Sequence, residues 1–315
     1  MTRILTRNDL LALLDPDACI EALRHGFIQD DNATIAGQRI RTDLPFPGTA
    51  TALIPGLIPG IDAYTVKINA KFPAASPALR GVICLHSGQD GELLALLDSA
   101  TITAWRTGLA AALGTHALAP RQNAVAGIIG AGAQADLVMT GLRRLRPLSD
   151  LIVHDVSRER ASAFATRHGG SVAGSAAEVA GHADILILAT WSRAPLLDLP
   201  DVRPGHHLTT LGADEPGKQE LSRSILKSAG VLAVDDRPLA AAMGMLAATG
   251  LPAEAAHATL GEILRADHPG RTDPAQITVY GPVGLPWQDL ALSRLAYLES
   301  ERRGLGATID FLSTS

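Results

Sequence analysis

The sequence predicts an α/β fold in which a doubly wound parallel sheet follows a smaller, mixed α+β region. Three observations predict it. Beyond Pro120, short apolar runs alternate with segments of helical period. Before it, residues 39–98 carry strand-like runs separated by proline- and glycine-rich turns. The chain has 315 residues, long for one core and ample for two.

Taken in order, the first thirty residues read as two short helices split at Asp15-Pro16. Leu10, Leu11, Leu13 and Leu14, then Ile20, Leu23 and Phe27, recur at helical spacing. Strand-like runs follow at 51–54, 63–70, 81–86 and 93–97. They are punctuated by Pro45-Phe46-Pro47-Gly48, Pro59-Gly60 and the hairpin signal Gly88-Gln89-Asp90-Gly91, so a mixed or antiparallel sheet is expected. Ser99 is placed to cap a long helix reaching residue 118, with Ile102, Leu109, Ala110 and Leu113 on one face. Strands are then expected at 124–129, 151–154, 185–189, 207–211, 231–234 and 277–279, with helices such as 134–145 and 158–168 between them. A last helix is expected at 287–302, followed by a short tail.

Composition excludes several classes of function. Hydrophobic residues make up 47% and aromatic residues only 3%, so the core is built from Ala, Leu, Val and Ile. A net charge of -5, with no run of Lys or Arg longer than two, argues against a nucleic-acid partner. The longest mostly apolar stretch, 238–253, falls short of the roughly 20 residues a membrane span requires. Charges interrupt the first residues before any signal-peptide core, so a cytoplasmic location is expected. Cys19 and Cys84 lack neighbours at metal-ligand spacing, so they are expected as buried free thiols and no metal is expected.

One segment carries chemistry. An apolar strand, the turn Gly130-Ala131-Gly132-Ala133-Gln134-Ala135 and a helix follow in unbroken order from Val125 to Leu142. Gly130 permits the tight turn, Gly132 admits close backbone approach, and the small Ala135 lets helix and strand pack. Free N–H groups and the dipole at the helix start favour a pyrophosphate. The next strand ends on Asp155, at the distance where an acid meets the adenosine ribose in a Rossmann dinucleotide site. Glycines alone would also suit a tightly packed turn; strand, turn, helix and acid together favour the dinucleotide. Asp155 favours NAD, while Arg158 nearby leaves NADP open.

With the turn in place, other motifs become informative. They are Arg41 before Pro45, Lys67 in Val66-Lys67-Ile68, Leu97-Asp98-Ser99 leading to Trp105-Arg106-Thr107-Gly108, and Leu211-Gly212-Ala213-Asp214 with Pro216-Gly217-Lys218. Leu260-Gly261-Glu262, Pro269-Gly270-Arg271, and Val283-Gly284-Leu285 with Gln288-Asp289 complete the series. In this order and over nearly its whole length, the chain resembles the ornithine cyclodeaminase and mu-crystallin family. The resemblance implies a substrate-binding and dimerisation domain of residues 1–118 plus 287–315. Between them it implies a Rossmann NAD(P)-binding domain of residues 119–286, and a homodimer.

The resemblance also implies roles. Arg41, Lys67 and Arg106 match the cationic cluster that holds a substrate carboxylate, as Arg forks and a Lys point charge do well. Arg39, two residues from Arg41, is an alternative ligand, and Arg106 has the plainer reading of a surface ion pair. Asp214 matches the catalytic aspartate, with Lys67 beside it in the chemistry; its plainer reading is a cap ahead of Glu215-Pro216. Lys218 matches a lysine near the cofactor, and Thr190 ends a strand where it could meet the dinucleotide.

The implied activity is hydride transfer at the α-carbon of a small amino acid or cyclic imino acid, as in a ketimine or pyrroline-2-carboxylate reductase. Ornithine cyclodeamination to L-proline and ammonia is the alternative, then an alanine dehydrogenase, then a cofactor-bound binding protein like mu-crystallin. Three positions depart from the ornithine pattern: Ala52 where an acid would meet the distal ammonium, Arg80 before Gly81, and Pro282, which brings neither hydroxyl nor N–H.

Overall fold

Branched aliphatic runs bounded by glycine and proline form the strands, and the periodic segments between them form the helices. A computed structural model describes residues 1–29, 40–72, 75, 79–120, 124–215 and 217–311. Arg39 and Pro216 lie outside the described residues. The chain divides into two units, Met1–Arg106 with Leu285–Ser315, and Thr107–Gly284. The first boundary falls within the helix that carries Arg106.

The chain opens with β1 (Thr2–Leu5), then α1 (Arg7–Leu13) and α2 (Pro16–Ile28). The opening strand was missed because four residues before the first helix carry too little pattern. Thr6 and Asp9 form a capping box on α1, and Asp15 caps α2 with Pro16 in its first turn. Next come β2 (Ile40–Asp43), β3 (Ala50–Leu57), β4 (Ala63–Lys71), β5 (Leu79–Ser87) and β6 (Leu93–Asp98). Then α3 spans Ser99–Leu118. Its cap is Asp98, not Ser99: the Asp98 carboxylate accepts the Thr101 N–H at 2.9 Å. Ser99 instead donates its buried hydroxyl to Asn69 at 2.5 Å.

The second unit runs through β7 (Ala124–Ile129), α4 (Ala133–Leu145), β8 (Leu148–His154), α5 (Arg158–His168), β9 (Ser171–Val172), α6 (Ala176–His182), β10 (Ile185–Leu188) and β11 (His207–Thr210). It continues with α7 (Arg223–Ser228), β12 (Val231–Val234), α8 (Arg237–Met243), α9 (Met245–Thr249), β13 (Ala258–Thr259), α10 (Leu260–Leu264) and β14 (Thr278–Gly281). Its strands form one parallel sheet in the order β13-β12-β14-β11-β10-β7-β8-β9. Alternate residues feed two cores, as the period of two requires. Ala126, Ile128, Leu151, Val153, Ile185 and Ile187 pack against α3, α4 and α5. Ile129, Ile152, Leu186 and Leu188 pack against α6 and α7. This is a doubly wound Rossmann sheet, and its order reverses between β7 and β10, where such sheets bind ligands at their carboxyl ends.

The chain returns to the first unit through α11 (Pro286–Arg303) and β15 (Ala307–Ile309). The expected tail thus contains a strand, which pairs antiparallel with β1. The sheet order is β15-β1-β6-β5-β4-β3-β2, mixed because β1 runs parallel to β6. One face carries α11, which packs across β3, β4, β5 and α2. The other presents Ile40, Leu53 and Ile68 in register, 57%, 42% and 41% exposed. Cys19 and Cys84 are both free thiols; Cys19 is buried, which pushes its thiol up to about 12, whereas Cys84 is only partly buried.

Candidate functional site

In the second unit the glycine turn leaves β7 at the switch point. Gly130 adopts φ +97°, and a β-carbon there would stand 2.5 Å from the Ala189 carbonyl at the end of the neighbouring strand β10. Both facts require glycine. Its N–H is held by the His154 carbonyl at 2.8 Å. Gly132 caps α4 without a side chain, and a β-carbon added to it meets nothing within 4 Å. That open space at a helix N-terminus fits a pyrophosphate. Ala133 and Gln134 start the helix, Ala135 is fully buried against the sheet, and Ala131 covers the turn. The Gln134 Oε1 atom is buried with no hydrogen-bond partner, a polar group awaiting one.

Asp155 directly follows β8, and it organises the turn. One carboxylate oxygen accepts the Ala131 N–H at 2.9 Å, and the other accepts the Ser157 N–H at 2.8 Å. Arg160 donates to that second oxygen from Nε at 3.2 Å and Nη2 at 2.7 Å. Partial burial works against the charge, but Arg160 and the two N–H groups outweigh it and hold the carboxyl below the usual range. The arginine on Asp155 is therefore Arg160; Arg158 lies exposed in the first turn of α5.

Asp214 and Lys218 lie beyond the carboxyl end of β11. Their side chains meet at 2.8 Å, Lys218 also reaches Glu215 at 3.2 Å, and its ammonium sits 4.9 Å from the Trp191 ring centre. Burial opposes the charge on Lys218, but Asp214 and Glu215 outweigh it and raise the amine's pKa. The Asp214 side chain is about half exposed, at 48%. Thr190 follows β10, but its hydroxyl is spent on Glu220 at 2.7 Å, and so is its N–H at 2.6 Å. Glu220, fully buried, also accepts the Thr210 hydroxyl at 2.7 Å and the Gly212 N–H at 2.8 Å. Sequence reasoning missed Glu220. Its only advance signal was an acid two residues past a candidate lysine.

In the first unit, Lys67 on β4 and Arg106 on α3 converge on one carboxylate, that of Asp289 on α11. The Lys67 ammonium lies 2.5 Å from Asp289 and 3.3 Å from the Thr103 hydroxyl. The Arg106 Nε lies 3.4 Å from Asp289, outside hydrogen-bond geometry, and its Nη1 donates to the Gln288 side chain at 3.3 Å. All three charged side chains are buried. Arg106 is thus no surface pair. Arg41 stands apart: it lies on the edge strand β2, with its guanidinium on Asp43 at 3.0 Å and more than half its side chain exposed. In register it shares a sheet face with Ala52 and Asn69, the face that also carries Lys67. The structure joins Lys67 to Arg106 and leaves Arg41 on a partner of its own. Among the described residues no His, Cys, Asp and Glu group could hold a metal ion, and no helix is long and apolar enough to cross a membrane.

Comparison with known proteins adds to this geometry. The sequence profile of the ornithine cyclodeaminase/mu-crystallin family matches residues 2–303. An alanine dehydrogenase of Archaeoglobus fulgidus is 33% identical over 242 residues, 75% of each chain. The solved structure of an archaeal alanine dehydrogenase dimer with bound NAD superposes with a TM-score of 0.89 at 28% identity, covering 99% of both chains. A Δ1-pyrroline-2-carboxylate reductase of Thermococcus litoralis, in complex with NADH and L-proline, also gives 0.89, at 26% identity over 98% of this chain and 100% of that one.

Proposed function

The chain belongs to the ornithine cyclodeaminase/mu-crystallin family, and from that premise we propose that it is an NAD-dependent oxidoreductase acting at the α-carbon of a small α-imino or α-amino acid. The observation that carries this reading lies in the second unit. The dinucleotide turn after β7, the Thr190 segment after β10 and the Asp214–Lys218 pair after β11 follow the carboxyl ends of three adjacent strands. That edge is where an open parallel sheet brings a bound dinucleotide and a reacting group together.

When bound, the nicotinamide would supply or accept the hydride. Arg106 and Lys67, brought together on Asp289, grip the substrate carboxylate. Arg41 contributes by turning from Asp43. Asp214 exchanges a proton with the substrate nitrogen, and Lys218 holds its carboxylate in place from 2.8 Å. Lys67 counters the charge that builds on the carboxylate side. Asp155 would hold the adenosine ribose of a bound dinucleotide, and an acid in that place would favour NAD over NADP. The relatives that bind NAD and NADH support this cofactor.

Reduction of an imine is favoured over ornithine cyclodeamination by one feature. Ala52 lies between Arg41 and Asn69 on the face that carries Lys67, so no acid stands there to meet a distal ammonium. A homodimer through the outer face of the first-unit sheet accounts for its exposed Ile40, Leu53 and Ile68. Two free thiols suit a reducing, cytoplasmic setting.

The deciding experiment offers purified protein Δ1-pyrroline-2-carboxylate, other cyclic imines, and pyruvate with ammonia, following NADH and NADPH absorbance. Oxidation of NADH with an imino acid is expected. Release of ammonia and proline from L-ornithine with catalytic NAD, with no NADH oxidation on any imine, would reverse the order of the two readings.

A further inference from the structure

Glu220 is a buried carboxylate with no cation on it among the contacts described, yet all of its acceptor positions are filled. One oxygen takes the N–H and hydroxyl of Thr190; the other takes the Thr210 hydroxyl and the Gly212 N–H. A carboxylate offers about four lone-pair sites, and here four donors occupy them. The donors come from the ends of two neighbouring strands, β10 and β11, so the side chain ties one strand end to the other. The fit is tight. A β-carbon on Gly212 would come closer than 3.0 Å to both the Thr190 carbonyl and the Glu220 carboxylate, so only glycine fits there.

The backbone around Glu220 is fixed as well. The Gln219 N–H donates to the Ser192 carbonyl at 2.9 Å, and the Leu196 N–H donates to the Glu220 carbonyl at 2.8 Å. The segment from Lys218 to Leu221 is therefore anchored along the loop that follows β10. Asp214 stands two residues after Gly212, and its partner Lys218 two residues before Glu220. Holding Glu220 fixes both members of the pair.

We propose that Glu220 is a positioning residue, a buried brace that sets the Gly212–Ala213 turn and thereby aims the Asp214 carboxylate; this rests on the reading of Asp214 as the proton-exchanging group. The brace requires a carboxylate. Glutamine has one acceptor oxygen and an NH2, and whichever way that amide faces, it meets a backbone N–H of Gly212 or Thr190 that cannot accept from it. A buried donor is then orphaned at one strand end, and the turn moves. Misplacing a proton-transfer group by about 1 Å costs on the order of 100-fold in rate.

The test is a double-mutant cycle in the full-length protein with Glu220→Gln, Asp214→Asn and both together. Readouts are kcat, KM, the pH profile of kcat, and the NADH dissociation constant from nicotinamide fluorescence. Glu220→Gln is expected to lower kcat about 10- to 100-fold, to shift the pH profile, and to leave NADH binding within about threefold. In the Asp214→Asn background it should have almost no further effect, because its action passes through Asp214. Thr210→Val, which removes one donor and keeps the carboxylate, should show the same loss in smaller measure. It decides the matter if Glu220→Gln does not fold.

An additive loss in the Asp214→Asn background, or a fall in NADH affinity matching the fall in kcat, would make Glu220 a general structural residue and overturn the proposal. Unchanged kcat in Glu220→Gln, or in Thr210→Val if that variant alone is available, overturns it too. If Asp214→Asn itself keeps full turnover, the reading of Asp214 fails, and the inference with it. Loss in Asp214→Asn with none in Glu220→Gln removes only the inference.

Discussion

Asp289 stands between two buried cations, Lys67 and Arg106, and its removal takes away the acid they share. The Thr103 hydroxyl and the Gln288 amide are among their other described partners. Breaking a buried pair from one side costs about 3–5 kcal/mol. Asp289→Ala is accordingly expected to lower the free energy of unfolding by about that amount, read from urea denaturation; a change below about 1 kcal/mol would mean that the ammonium had found water or another anion. The glycine turn was legible as local structure because Gly130, Gly132, Ala135 and Asp155 lie within one strand-turn-helix-strand unit. Asp289 was not. Its partners lie on β4 and α3, far away along the chain, and spacing reports only on near neighbours.

Among the elements, α3 offers the cleanest measurement. Asp98 accepts the Thr101 N–H at 2.9 Å and its hydroxyl at 2.5 Å, satisfying donors that the first helical turn leaves open. Asp98→Ala should cost about 1 kcal/mol of stability, whereas Ser99→Ala should act through Asn69 and leave the helix start intact; circular dichroism with urea titration separates the two. Unbroken apolar runs were legible from the sequence, since β7 and β12 occupy the residues their runs suggested. The two-residue strands β9 and β13 were not, because a period of two needs four or more residues to declare itself. Nor was β15, a three-residue strand whose existence depends on β1 rather than on any pattern of its own.

For the whole molecule, two predictions concern pH and association. His206 and His207 are fully buried, and burial lowers both, His206 to about 4 and His207 well below the ordinary value. A depressed histidine contributes stability above pH about 6.5 that is lost as pH falls toward 4, because only the unfolded chain takes up the proton there. Glu220 and Asp235, raised chiefly by burial, act in the opposite sense, so the test is a difference between two chains. The advantage of wild type over His206→Asn in melting temperature should be largest above pH 6.5 and shrink toward pH 4. A constant difference across that range would contradict the assignment. Separately, Ile68→Lys places a charge on the exposed face of the first-unit sheet; if the proposed dimer forms through that face, light scattering is expected to give a dimer for wild type and a monomer for the variant.

The order of the chain has a consequence for synthesis. Residues 107–284 are contiguous, and every strand of their sheet is present once β14 has left the ribosome. The other unit needs segments on both sides of that stretch: β1 precedes it but is flanked by β6 and β15, and the face of β3, β4 and β5 waits for α11. During translation the early strands therefore hold an uncovered apolar face and an unpaired edge until α11 and β15 emerge, the period in which such surfaces most readily associate wrongly. Slow elongation or termination before α11 should then leave a folded second unit attached to an aggregation-prone half, and a holding chaperone would find its client there.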